Sequence, residues 1–234
     1  GFNGDPAAAQ TVTMACAQDG AELPCIDLAV HNAGGIRQDS ACGINTEWRE
    51  GPLHERDVEE LLPFENDLKV LSLNGSELYD MFEQGFAALG QPGRFSWAGG
   101  FLHTAGAFVM LDCAGAPRSA GVDGDRVLGI CLRRLSDAES NNDDWSLVSN
   151  SPMGAFRLAV NEFIAGGNDG FDMLVDVVDG VVVSKSIGIN PPFTDQSLLK
   201  SHLQTLGQGE GKDFDPIART RPPSLADDLC VVRL

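Results

Sequence analysis

A mixed α/β fold is predicted for this 234-residue chain by three observations. Candidate strands and helices interleave along the sequence instead of segregating into blocks. Several strand candidates are joined by short loops containing Gly, Asp or Pro, which makes them antiparallel hairpins and rules out a purely parallel sheet. At 43% hydrophobic and 21% charged residues, the composition is that of a globular protein with a substantial core.

The elements follow in order. Residues 1–24, rich in Gly, Ala and small polar residues, are expected as an irregular or partly helical lead-in. Residues 25–31 read as a strand. Residues 56–62 read as a short helix stopped by Pro63, and 68–73 as an alternating strand. Ser76 is a candidate N-cap for a helix over 77–88, with Leu78, Phe82 and Phe86 on one face. Residues 101–111 are apolar around Gly106 and read as one long strand, bent at the glycine. A Gly- and Pro-containing hairpin loop over 114–125 leads to a returning strand at 126–134. A polar turn at 137–144 precedes a short strand at 145–148. Residues 155–164 show helical spacing in Ala155, Leu158, Ala159 and Phe163. Asp179-Gly180 marks a hairpin between strands at 173–178 and 181–183. Thr194 opens a helix over 194–206, and the remainder reads as a tail. No linker divides the chain, so one domain over 25–222 is expected, with a lead-in before it and a tail from 223 to 234.

Charge and cysteines narrow the function. A net charge of −18 disfavours nucleic acid and anionic membrane, which are bound through cationic side chains. No apolar run approaches the ~20 residues of a membrane span. Six cysteines without a CxxC pair weaken zinc-ribbon and thioredoxin readings. Their even number fits up to three disulfides in an oxidising compartment, and six free thiols in a cytosolic protein are the alternative. Asn74-Gly75-Ser76 is a glycosylation sequon and equally a strand-to-helix turn. The start, Gly1-Phe2-Asn3, is unlike a translation start, so the chain is expected to be a piece of something longer.

The most informative stretch is Ile26-Asp27-Leu28-Ala29-Val30-His31-Asn32-Ala33-Gly34-Gly35-Ile36-Arg37. An apolar strand ends in a polar glycine loop. Gly34 and Gly35 permit positive φ and close backbone approach, so that free N–H groups could cup an anion. Arg37 offers a fork of donors for phosphate or carboxylate. The plain alternative is a strand, a glycine turn and a surface arginine. His31 stands out among the four histidines because it ends a strand beside Asn32. There is no GxSxG, no HExxH and no P-loop; Gly207-Gln208-Gly209-Glu210-Gly211-Lys212 is a near miss followed by Asp213.

Four segments in order carry a resemblance. They are Asn32-Ala33-Gly34-Gly35-Ile36-Arg37, then Leu62-Pro63-Phe64-Glu65-Asn66, then Gly93-Arg94-Phe95 with Gly99-Gly100, and lastly Phe163-Ile164-Ala165-Gly166-Gly167-Asn168-Asp169-Gly170-Phe171. Together they resemble the C-terminal substrate-recognition domain of the 5′-nucleotidase family, over most of the chain. The resemblance implies a layered α/β/β/α arrangement. It implies a nucleobase sandwiched between Phe64 and Phe163, a ribose held by Asp169, a base contact from Asn32, and a phosphate contact from Arg37 beside the Gly34-Gly35 loop. Two departures stand out. Ala33 replaces a family glycine, and Asn168 is expected to take up a glycine's conformation. The family's catalytic half, an N-terminal metallophosphatase domain holding two divalent metal ions, has no counterpart here: DxH, GNH[DE] and GHxH motifs are absent. The chain is therefore expected to need no cofactor of its own and to bind a nucleoside or nucleoside monophosphate. Its expected partner is that catalytic domain, in an extracellular, cell-surface or periplasmic phosphomonoesterase. The alternative is a catalytically silent extracellular module that keeps the fold.

Overall fold

The computed structural model describes residues 26–37, 54–89, 99–134, 144–187 and 193–207. The lead-in, Gly93-Arg94-Phe95, the tail, and Cys16, Cys25, Cys42 and Cys230 lie outside them. The described elements, in order, are β1 (Leu28–Asn32), α1 (Glu55–Leu61), β2 (Leu68–Leu73), α2 (Gly75–Gly85), β3 (Leu102–Ala105), β4 (Ala107–Leu111), β5 (Val127–Arg134), β6 (Asp144–Leu147), β7 (Phe156–Asn161), α3 (Glu162–Ala165), β8 (Val175–Val178), β9 (Val181–Ser184) and α4 (Asp195–Gly207).

A four-stranded mixed sheet in the order β2-β7-β1-β3 carries the site. β7 runs parallel to β1 and antiparallel to β2, and β3 is antiparallel to β1. β4, β5 and β6 form a second, antiparallel sheet, and β8 and β9 a separate hairpin. Asp179 and Gly180 turn that hairpin with φ of 53° and 79°, the positive values that its two-residue loop demands.

Two expectations change. Residues 155–164 are not a helix: β7 fills Phe156–Asn161, and only Glu162–Ala165 coil into α3. Burial along β7 alternates, with Leu158 and Val160 buried and Arg157 exposed, as in a strand; the helical spacing arose because the window ran on without a break from β7 into α3. The single strand at 101–111 is two strands in two sheets. Gly106, at φ 79°, passes the chain between them, and a side chain there would meet the Asp27 carbonyl oxygen at 2.8 Å.

One apolar cluster joins the layers. Leu28, Val30, Leu71, Leu73, Leu102 and Leu158 from the first sheet meet Val109, Leu111, Val127 and Ile130 from the second, with Leu78, Met81, Phe82 and Phe86 of α2 among them. The N-cap of α2 is Asn74, not Ser76. Asn74 Oδ1 accepts from Glu77 N, and the Glu77 carboxylate accepts from Asn74 N, a reciprocal capping box. The other end of α2 is closed by Arg126, whose Nη1 donates to the carbonyls of Phe86, Ala87 and Leu89. Thr194 Oγ1 accepts from Ser197 N at the start of α4, as an N-cap should. Cys113 is disulfide-bonded while Cys131 is a free thiol.

Candidate functional site

Alternation along β1 turns Leu28, Val30 and Asn32 to the core face and His31 to the other. Asn32 is 3% exposed. Its Nδ2 donates to the Gly99 carbonyl at 3.2 Å, and its Oδ1 accepts from Asn161 Nδ2 at 2.8 Å. In the free chain Asn32 is thus an internal link across three segments.

The loop after it is a 3₁₀ turn over Ala33–Gly35. Neither Gly34 nor Gly35 has a positive φ, so conformational freedom is not why they are glycines. Space is the reason. A Cβ at Gly34 would lie 3.0 Å from Gly99 Cα, and one at Gly35 would lie 2.5 Å from His31 Cε1. The expected cup of free amides is also corrected. Ala33 N donates to Phe101 O, Gly34 N to Gly99 O, Ile36 N to Ala33 O and Arg37 N to Leu61 O. An amide already bonded inside the fold is not available to an anion, so the Arg37 side chain is the cationic group this loop offers.

Arg37 is exposed, and its guanidinium carbon sits 5.1 Å from the centroid of the Phe64 ring. Such a cation–π contact is worth about 0.5–1 kcal/mol at an exposed site. Phe64 is 54% exposed, in a turn whose next residue, Glu65, holds φ at 49°. The turn is clamped from α4: Gln196 Nε2 donates to Leu62 O, and Asp195 N donates to Asn66 O.

Phe163 lies on α3 and is 41% exposed. Asn161 caps that helix, its Oδ1 accepting from Ile164 N at 3.0 Å. The same residue therefore ties Phe163's helix to Asn32. The loop beyond runs through Gly167 at φ 81°, Asp169 at φ 56° and Gly170 at φ 84°. The left-handed residue that could have been a glycine is Asp169, not Asn168; Asn168 instead donates from Nδ2 to Phe163 O. Asp169 is exposed, its carbonyl accepts from Gln84 Nε2, and its Oδ2 lies 3.6 Å from where a Gly99 side chain would begin.

The structure thus joins Asn32, Gly34, Gly99 and Asp169 on one line of contacts, Arg37 with Phe64 on another, and Phe163 to Asn32 through Asn161. Asn161 and Gln196 escaped the sequence reading, the first because its segment read as helix. A cavity of about 640 Å³ opens beside the Asp169 loop, lined by Gln84, Gly100, Arg118, Ser119, Asp169 and Asp172 among others. It shares Asp169 with the site but neither stacking candidate, and its Arg118 is paired with Asp80 at 2.9 Å. Among the described residues no group of His, Cys, Asp or Glu gathers as a metal site would need, and no helix is long and apolar enough to cross a membrane.

Comparison with known proteins agrees with this architecture. A model of the 5′-nucleotidase C-terminal domain family matches residues 5–176. The chain is 26% identical over 180 residues to the trifunctional nucleotide phosphoesterase protein YfkN of Bacillus subtilis, covering 77% of this chain and 10% of that protein. It is 28% identical over 154 residues to a probable 5′-nucleotidase of Treponema pallidum, covering 65% of this chain and 22% of that protein. The crystal structure of a 5′-nucleotidase precursor from Thermus thermophilus superposes with a TM-score of 0.52 at 27% identity, over 77% of this chain and 29% of that one. The chain therefore spans less than a third of each of these proteins, and in each it corresponds to one domain. Given the length matched and the shared mixed sheet, this chain belongs to the family of 5′-nucleotidase C-terminal domains.

Proposed function

We propose that the chain is the nucleotide-recognition domain of an extracellular or periplasmic phosphomonoesterase, stacking a nucleobase between Phe64 and Phe163. The observation that carries this is two large aromatic rings left about half exposed, Phe64 on a turn and Phe163 on the short helix α3, each mount fixed by hydrogen bonds. A ring exposed on a rigid mount is arranged to meet a ligand, since burying it would be worth ~1.5–3 kcal/mol. Asp169, in reach of solvent beside Gly99, accepts from the ribose hydroxyls. Arg37 leaves the Phe64 ring to a base and meets the phosphate. Asn32 contributes its second amide hydrogen, and Gly34 and Gly35 keep the floor of the loop low enough for the base edge. The phosphoester is cut on a separate metallophosphatase domain carrying two divalent metal ions. The relatives' names, nucleotide phosphoesterase and probable 5′-nucleotidase, support that parentage. The Cys113 disulfide supports an oxidising compartment.

One observation favours a second reading, a catalytically silent extracellular module: the amides of Ala33, Gly34, Ile36 and Arg37 are committed inside the fold, which leaves the Arg37 side chain with little help at a phosphate. Titration of adenosine and AMP, followed by NMR, separates the two. Binding in the micromolar to millimolar range is expected. At roughly 1–3 kcal/mol of stacking per base, Phe64→Ala and Phe163→Ala should each weaken it by about 5- to 150-fold. Absence of binding at millimolar ligand, or binding indifferent to both substitutions, leaves the silent module.

A further inference from the structure

His31, on the face of β1 opposite Asn32, has no task in the reading above. It points toward the start of α4, where its Nε2 lies 3.5 Å from Asp195 Oδ2. Both atoms are shielded from solvent, and neither makes a hydrogen bond among the described residues. The other ring nitrogen, Nδ1, lies 3.0 Å from the Asn32 carbonyl oxygen. A carbonyl and a carboxylate can only accept. A ring that satisfies both must donate from both nitrogens, and only the imidazolium does so. With a neutral ring, one of the two contacts sets lone pair against lone pair in a buried place, which is unfavourable.

The position of the pair gives this consequence. Asp195 N and Gln196 Nε2 hold the two ends of the turn that carries Phe64, at Asn66 O and Leu62 O. On the other side, the carbonyl contacted by His31 belongs to Asn32, whose side chain reaches Gly99 and Asn161. The contact between His31 and Asp195 thus lies between the mount of Phe64 and the network that holds Phe163. The titratable groups facing His31 are Asp195 from α4 and His103, its direct partner in the β1–β3 register. Burial, and then the charge of His31, hold His103 below the usual histidine range.

We propose that His31 and Asp195 are positioning residues that form a proton-dependent strut: a proton on His31 closes the pair, fixes the start of α4 against β1, and sets the Phe64 turn for stacking. Nucleoside binding is then linked to pH. This rests on the stacking reading and sharpens it, since the same site becomes one that favours mildly acidic surroundings.

The test is the adenosine affinity of the 234-residue chain from about pH 5 to pH 8, the span in which an imidazole changes charge. It is measured for the wild type, His31→Gln, Asp195→Asn, the double variant, and His103→Gln as control. Wild type and His103→Gln should bind about 5-fold or more tightly at the acid end. Both strut variants should give flat profiles, and the double variant should match either single one. A slope that survives in Asp195→Asn overturns the proposal. The nitrogen-15 imidazole spectrum of the ligand-free chain decides the strut separately from stacking. Two protonated ring nitrogens on His31 at the acid end, lost in Asp195→Asn, support it even if adenosine does not bind. A ring that stays a single neutral tautomer throughout that range refutes it.

Discussion

Replacing Asn161 with alanine removes one side chain and breaks two separate connections. Asn161 is fully buried. Its Oδ1 caps α3 through Ile164 N at 3.0 Å, and loss of such a cap costs about 1 kcal/mol. Its Nδ2 serves Asn32 Oδ1 at 2.8 Å. Asn32 is itself buried, so its oxygen is left without a donor, at a cost of roughly 1–3 kcal/mol. Together the loss comes to about 2–4 kcal/mol. For a chain of this size a kilocalorie moves the melting temperature by roughly 2–4 °C, so a fall of about 4–16 °C is expected. Urea unfolding followed by circular dichroism gives the free energy directly. A double-mutant cycle with Asn32→Ala should return a coupling of about 0.5–3 kcal/mol. Asn161→Asp is the informative companion. It keeps the cap oxygen, sets an oxygen against Asn32 Oδ1 and adds the cost of burying a carboxylate, so its loss should exceed that of Asn161→Ala. A loss below about 0.5 kcal/mol for Asn161→Ala, the range of ordinary surface changes, would refute the claim that this residue joins the two halves of the site.

Two further outcomes follow from the same geometry. Gly34→Ala puts a methyl 3.0 Å from Gly99 Cα and 3.1 Å from Gly99 O. Neither backbone atom can rotate away, so a destabilisation of about 1–3 kcal/mol is expected in thermal melts, and an unchanged melt would mean that the two loops part freely. Glu83 is 5% exposed; its Oε1 accepts from Val127 N, while Oε2 has no partner. Burial raises its pKa, against the backbone hydrogen bonds from Val127 and Arg126 that lower it. A carboxyl whose pKa is higher folded than unfolded binds its proton more tightly in the native state. Stability is therefore greatest below the unfolded value and declines as pH rises from there through the folded one. Glu83→Gln should remove that decline in melting temperature measured from about pH 4 to pH 7, and identical slopes in the two proteins would contradict this reading.

Where local rules suffice, the sequence is a reliable guide. The bounds of β2 could be read directly, because Leu71, Ser72 and Leu73 alternate in burial, with Val70 buried as well. Asp179-Gly180 forms its hairpin because a two-residue turn needs positive φ at both positions. Reading fails where a partner elsewhere in the chain decides. β7 looked helical because the strand runs straight into α3, and which residues end the strand is decided by its pairing with β1 and β2. Asn74 took the cap from Ser76 because Glu77 could answer it from the N3 position. Asp169, rather than Asn168, took the left-handed backbone, with its carbonyl held by Gln84 from α2.

By itself, then, the sequence determined the mixed α/β class, the order of the motif segments, and the candidates Asn32, Gly34, Gly35, Arg37, Phe64, Phe163 and Asp169. The class follows from short windows, through spacing and turn chemistry, and the candidate residues are what the resemblance of those motif segments to one family implies. The tertiary structure alone decided how these residues are employed. It committed the amides of Ala33, Gly34, Ile36 and Arg37 to the interior, made space the reason for Gly34 and Gly35, and laid Arg37 on Phe64. It also paired Asn32 with Asn161, 129 residues away. A hydrogen-bonding group takes whichever partner the fold brings within ~3 Å, and which one that is depends on how the sheets and α2 pack together, a choice that no window of sequence contains.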